Sequence, residues 1–167
     1  MGLPLGSSAT ATRTDLQVRA ARPSDMLQVL ELINDFAARG LMLPRVPEQI
    51  VRHFREFVVA TDETGRVVGC AALRIYTAQL AELVALAVAE DAQGRGVGRA
   101  LVERIEADAL EIGVGTLFAL TLQELFFHRV GYRTVPKELF PLKVWADCRS
   151  CATRDACQEI AVVRELQ

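Results

Sequence analysis

The chain has 167 residues, of which 51% are apolar, and a net charge of −2 from 19 Lys and Arg against 21 Asp and Glu. That is the length of one domain, long enough to bury about two-thirds of the unfolded chain's surface and too apolar to stay disordered. The sign of the charge argues against a nucleic-acid or anionic-membrane partner, and no window reaches the roughly 18 apolar residues of a membrane span.

Residues 1–14 are small and polar, with no cationic start and no apolar stretch, and read as a disordered leader to a domain over 15–167. Without an export signal the expected compartment is cytoplasmic, with the four Cys reduced. Leu16–Ala21 alternates as a first strand, and Ser24 is placed to cap a helix running to Ala38. Met26, Leu27, Leu30, Ile33 and Ala37 would form the apolar face of that helix, and Gly40 would stop it. Pro44 and Pro47 frame a connection into a second helix over Glu48–Phe54. Phe57–Thr61 and Val67–Tyr76 flank Asp62-Glu63-Thr64-Gly65, a hairpin signal. Leu80–Val88 is nearly continuous in apolar residues, as a buried central strand is. The pattern then predicts a helix over Gly98–Ile112, with Leu101, Ile105, Ala109 and Ile112 inward, and a strand over Thr116–Thr121. A helix over Leu122–Val130, a strand after Gly131 and a last strand over Gln158–Glu165 complete an α/β, or α+β, domain with a mixed sheet.

The chemistry concentrates between the buried strand and the helix behind it, at Gln93-Gly94-Arg95-Gly96-Val97-Gly98. Glycines admit positive φ and close approach to the backbone, and a helix N-terminus offers free N–H groups to an anion such as a pyrophosphate. The spacing matches neither a P-loop nor a dinucleotide fingerprint.

This Gln-x-x-Gly-x-Gly run (Gln93, Gly96, Gly98) resembles the acetyl-CoA motif of GNAT-type N-acetyltransferases. Leu117–Thr121, Leu122–Val130 and Gly131-Tyr132 resemble that family's second motif, and the likeness extends over Leu16 to Val135. The resemblance implies acetyl-CoA as co-substrate, held by Leu86, Ala87, Val88, the run Gln93, Gly94, Arg95, Gly96, Val97, Gly98, and Arg99, with the Val88 N–H facing the thioester oxygen. Many family members place a Tyr on the helix after the second strand to protonate the leaving thiolate. Counting back from Gly131-Tyr132 puts Phe127 there, which has no hydroxyl and would pack against the cofactor arm or the core.

Ala81–Val88, Gly40–Arg45 and Leu142-Lys143-Val144-Trp145 resemble the acetyltransferase domain of N-acetylglutamate synthases in a short, stand-alone form. The amino-acid-kinase domain of many such enzymes is not expected in a chain of this length, which leaves open the arginine feedback that domain carries. This narrower resemblance implies transfer to the α-amine of L-glutamate, the first step of arginine biosynthesis. Glutamine, another amino acid, a protein N-terminus, or a non-catalytic acetyl-CoA sensor remain open. Glu82 interrupts the most apolar strand, where a carboxylate is costly unless it faces a cleft or a partner, and is the candidate general base. Arg45, Thr121 and Lys143 join it as candidate acceptor contacts, a guanidinium fork being matched to a carboxylate.

His53 and His128 stand apart from any nucleophile. Cys148, Cys151 and Cys157 are three of the four ligands a structural zinc wants, without a suitably spaced His, so no metal is expected. Oligomeric state leaves no trace in the sequence; the homodimer is the commonest form among soluble oligomers.

Overall fold

The computed structural model describes residues 16–140 and 157–167. Its strands are β1 (Gln17–Ala20), β2 (Phe57–Thr61), β3 (Val67–Ile75), β4 (Leu80–Val88), β5 (Thr116–Thr121), β6 (Arg133–Val135) and β7 (Ile160–Glu165). Its helices are α1 (Met26–Ala38), α2 (Pro47–Arg52), α3 (Val97–Glu111) and α4 (Glu124–Arg129). The strands form one mixed sheet in the order β1-β2-β3-β4-β5-β7-β6, in which only β4 and β5 run parallel.

Period-two alternation sorts the sheet's side chains between two layers. In β2, Val58 and Ala60 join α3 through Leu101 and Ile105, whereas Phe57 and Val59 join α1 and α2 through Ile33 and Ile50. A third cluster, Phe118 with Phe140, Ala161 and Val163, fills the far end, its two rings stacked at 4.1 Å.

Two helical faces differ from the sequence expectation. The buried side of α1 is Met26, Val29, Leu32 and Ile33, while Leu27 is 66% exposed. Ser24 does not cap the helix: it lies in a single 3-10 turn, Pro23–Asp25, that leads into α1. Asp25 closes that turn by accepting from the Arg22 N–H (2.7 Å) and pairs bidentately with Arg19 (2.7 and 2.9 Å). These bonds, foremost the Arg19 guanidinium, hold the Asp25 carboxyl below its usual range. Likewise Ile112 caps α3 from outside and is exposed, the helix ending one residue earlier than its apolar spacing suggests.

Two irregularities in β4 open the middle of the sheet. Register with β3 runs Cys70↔Ala87 and then Ala72↔Val84, so β4 carries one residue more than its partner. The extra residue falls at Ala85, whose φ of +55° places a non-glycine in the left-handed region. Its carbonyl accepts from the Cys70 thiol at 3.3 Å, and burial pushes that thiol up to about 12. On its other side β4 pairs with β5 only from Leu80 to Glu82, against Thr116 to Phe118. Beyond that point the two strands part, and β5 continues along β7 alone.

Candidate active site

The gap between β4 and β5 is the floor of a cleft of about 760 Å³ that reaches the glycine loop and the first turn of α3. Glu82 stands where the strands separate. It is 2% exposed, lines the cleft, and accepts a hydrogen bond from the Tyr76 hydroxyl at Oε2 (3.0 Å).

Further along β4 the backbone itself becomes a donor. Ala89 N–H is bonded to the Val68 carbonyl (2.8 Å). Val88, one residue back, therefore turns its N–H and C=O toward the edge that β5 has left. Its carbonyl is taken by the Gln93 carboxamide (3.0 Å), which ties the glycine loop to the strand end. Gln93 thus acts on the strand directly, a contact its place in the motif does not disclose.

The three glycines do two different jobs. Gly94 and Gly96 have φ of +76° and +79°, and a Cβ on either would meet no protein atom within 4 Å, so the loop surface is open to a ligand. Gly96 is also the residue that starts α3, and Ala100 N–H is bonded back to its carbonyl at 3.0 Å. The N–H groups of Val97, Gly98 and Arg99 precede that ladder and lie at the positive end of a 15-residue helix. Gly98 serves packing instead: a Cβ there would come within 3.2 Å of the Phe126 ring. This cradle has the shape and donors that a pyrophosphate requires. Arg99 lines the cleft and bonds the Arg129 carbonyl (3.1 Å), whereas Arg95 is exposed and is not part of the wall.

Across the cleft, Arg45 is held by its backbone. Asn34 of α1 accepts from the Arg45 N–H (2.9 Å) and donates to the Arg45 carbonyl (3.1 Å). Arg45 also borders a second cavity of about 290 Å³, beneath α2, together with Arg74, His53 and Glu56. Arg74 is the register partner of Glu82 on β3. The sequence offers no sign of Asn34, Arg74 or Tyr76 as site residues, because each acts through pairing between distant segments.

Thr121 ends β5 at the cleft wall, its hydroxyl accepting from the Gln123 N–H (2.8 Å). Leu86 and Ala87 line the wall opposite. Phe127 borders the cleft from within the core: it is 3% exposed and meets Tyr132 and Phe126 edge-on at 5.2 and 5.3 Å. The ring that covers the helix start is Phe126, so neither aromatic of α4 brings a hydroxyl. Lys143, Trp145, Cys148 and Cys151 lie outside the described residues. Cys157 is exposed and free, and no cluster of three or more metal-ligating side chains occurs among the described residues. No described helix is long and apolar enough to cross a membrane.

The model of the acetyltransferase (GNAT) domain matches residues 53–134. An uncharacterized N-acetyltransferase from Chlorobaculum tepidum is 46% identical over 152 residues, 91% of this chain and 97% of the relative. The chain is a GNAT-family N-acetyltransferase. An amino-acid acetyltransferase of Mycobacterium tuberculosis is 32% identical over 80% of this chain and 78% of the relative. Among solved structures, Neisseria gonorrhoeae N-acetylglutamate synthase, complexed with coenzyme A and N-acetyl-glutamate, superposes with a TM-score of 0.83 at 30% identity. The match covers 94% of this chain and 36% of that longer one. A Mycobacterium tuberculosis protein in complex with CoA and NLQ gives 0.77 at 27% identity, over 90% of this acetyltransferase and 99% of that chain.

Proposed function

We propose that this acetyltransferase moves the acetyl group of acetyl-CoA to the α-amine of L-glutamate, in a ternary complex without an acetyl-enzyme. The observation that carries the reading is Glu82: a carboxylate 2% exposed, in the cleft wall, at the point where β4 and β5 part. An ammonium must lose a proton before it can attack a thioester, and a carboxylate placed there receives it, an effect typically worth about 10²–10⁴-fold. The Val88 N–H, turned into the gap, donates to the oxygen on which negative charge develops. Gly94, Gly96 and the start of α3 hold the pyrophosphate. A thiol of pKa about 8.5 departs without a dedicated acid, which fits an α4 bearing Phe126 and Phe127.

The acceptor's identity rests on charge. Arg45 borders the Glu82 cleft, which Arg39 also lines, and so offers a guanidinium on the acceptor side for a substrate carboxylate. The relatives named amino-acid acetyltransferase support an amino-acid acceptor, and the synthase solved with N-acetyl-glutamate supports glutamate among them. Glutamine is the nearest competitor, since it differs only at the side-chain carbonyl group.

The test is release of free thiol from acetyl-CoA with glutamate, glutamine, other amino acids and an N-terminal peptide as acceptors. Glutamate should have the highest kcat/KM, and Glu82→Gln should lower kcat by about 10²–10⁴ while retaining acetyl-CoA affinity. Thermal stabilisation by acetyl-CoA with no thiol release from any acceptor would replace the enzyme reading by that of a sensor.

A further inference from the structure

We infer that Tyr76 is a positioning residue for the reaction: its hydroxyl, bonded to Glu82 Oε2 at 3.0 Å, fixes the carboxylate that takes the amine's proton. The inference rests on the reading of Glu82 as base. It does not make Tyr76 a proton donor to the leaving group, because Glu82 forms the cleft wall and Tyr76 does not.

The placement comes from the turn after β3 and from the packing of the ring. Tyr76 comes directly after β3, and the turn that brings the chain back into β4 is closed by bonds from the Tyr76 and Thr77 N–H groups to the Leu80 carbonyl, at 3.0 and 3.1 Å. That turn sets the β3–β4 register, in which Arg74 opposes Glu82. The Tyr76 ring is held from the β5 side by Phe118, at 5.7 Å between centroids, and Phe118 is itself stacked on Phe140. A ring packed in this way carries its hydroxyl to one place. With Oε2 engaged there, rotation of the carboxylate is set before the substrate arrives, as preorganised catalysis requires.

A hydrogen bond donated to a carboxylate favours its charged form. Other charged groups act in the same region: Arg74 from β3, Arg39 and Arg45 from the end of α1 and the loop after it, and Glu159 ahead of β7. All of them are unchanged in Tyr76→Phe, which also keeps the ring against Phe118.

The experiment compares wild type, Tyr76→Phe and Glu82→Gln by kcat/KM for glutamate across pH. It adds a carboxyl carbon NMR titration of glutamate-labelled protein, with Glu82 assigned by its loss in Glu82→Gln. In Tyr76→Phe the acid limb should move up by about one pH unit, the Glu82 carboxyl midpoint should move with it, and acetyl-CoA affinity should stay unchanged. A limb and a midpoint that both stay at the wild-type pH would overturn the inference. As a second probe that keeps the phenol, 3-fluorotyrosine, a stronger donor, is incorporated in a Tyr132→Phe background. It should move the midpoint down, and no movement counts against the contact. Failure of the base reading is separable: Glu82→Gln would then turn over within a few-fold of wild type, whatever the titration shows.

Discussion

Asn34 gives the sharpest test of how the fold equips the acceptor side. Its carboxamide makes two bonds to one residue's backbone, donating to the Arg45 carbonyl at 3.1 Å and accepting from the Arg45 N–H at 2.9 Å. Asn34→Ala removes both. Neutral hydrogen bonds contribute about 0.5–1.5 kcal/mol each, so the loop carrying Arg45 loses about 1–3 kcal/mol of preference for its observed position. If that preference is what presents the guanidinium to the acceptor, the same energy appears in acceptor binding. At 1.4 kcal/mol per decade the glutamate KM should rise about 5- to 150-fold. Direct removal of the guanidinium in Arg45→Ala should raise it by about 10- to 150-fold, from the 1.5–3 kcal/mol of a charge-assisted bond. The acetyl-CoA KM should hardly move in either variant, because Asn34 is remote in sequence and role from the glycine loop. Steady-state kinetics with each substrate varied in turn reads both constants. An Asn34→Ala enzyme with wild-type glutamate KM and wild-type thermal stability would refute the link between clamp and acceptor.

Gly96→Val should abolish measurable acetyl-CoA binding by calorimetry, because φ is +79° there and the added side chain fills the space left open over the loop; unchanged affinity would remove the cradle assignment. Asp25→Asn should destabilise the protein by about 2–3 kcal/mol at neutral pH, since it strands Arg19 as well as removing the charge. The Asp25 carboxyl is depressed in the folded state, so its contribution is complete above the unfolded value and is lost as pH falls through the folded one. The gap between wild type and variant in denaturant melts should therefore be constant above about pH 5 and close below about pH 4; a gap independent of pH would show that the charge is not what matters.

What could be read from the sequence was what short-range pattern encodes. Glu82 betrayed itself as one carboxylate inside an apolar run, and the glycine run ahead of an amphipathic helix as a permissive stretch of backbone. The pattern did not separate Gly94 and Gly96, at positive φ, from Gly98, which packs on Phe126. The bulge left no such mark, because the residue at φ +55° is Ala85, not a glycine, and only pairing with β3 reveals it. The apolar face of α1 was misjudged at Leu27 because the face through Met26 and Ile33 runs on at Val29 and Leu32, and Leu27, one residue past Met26, lies about 100° off it. Asn34, Arg74 and Tyr76 carry ordinary local signals and gain meaning only from partners 11 positions away, across a strand pair, or on a ring stack. Phe127 was placed by counting, which fixed its helix but not its side; the T-shaped contact with Tyr132 turns it into the core.

The parting of β4 and β5 after three paired residues has a consequence for what can enter. A sheet normally exposes its bare backbone edges at its two outer strands, where any passing chain can add itself. Here a further pair of bare edges faces inward, halfway across the sheet, joined at one end like the covers of a half-opened book. Nothing as broad as a folded protein reaches between the covers. A slim molecule with amide groups of its own fits along the spine, where the Val88 N–H is turned toward it and the Val88 carbonyl is already held by Gln93.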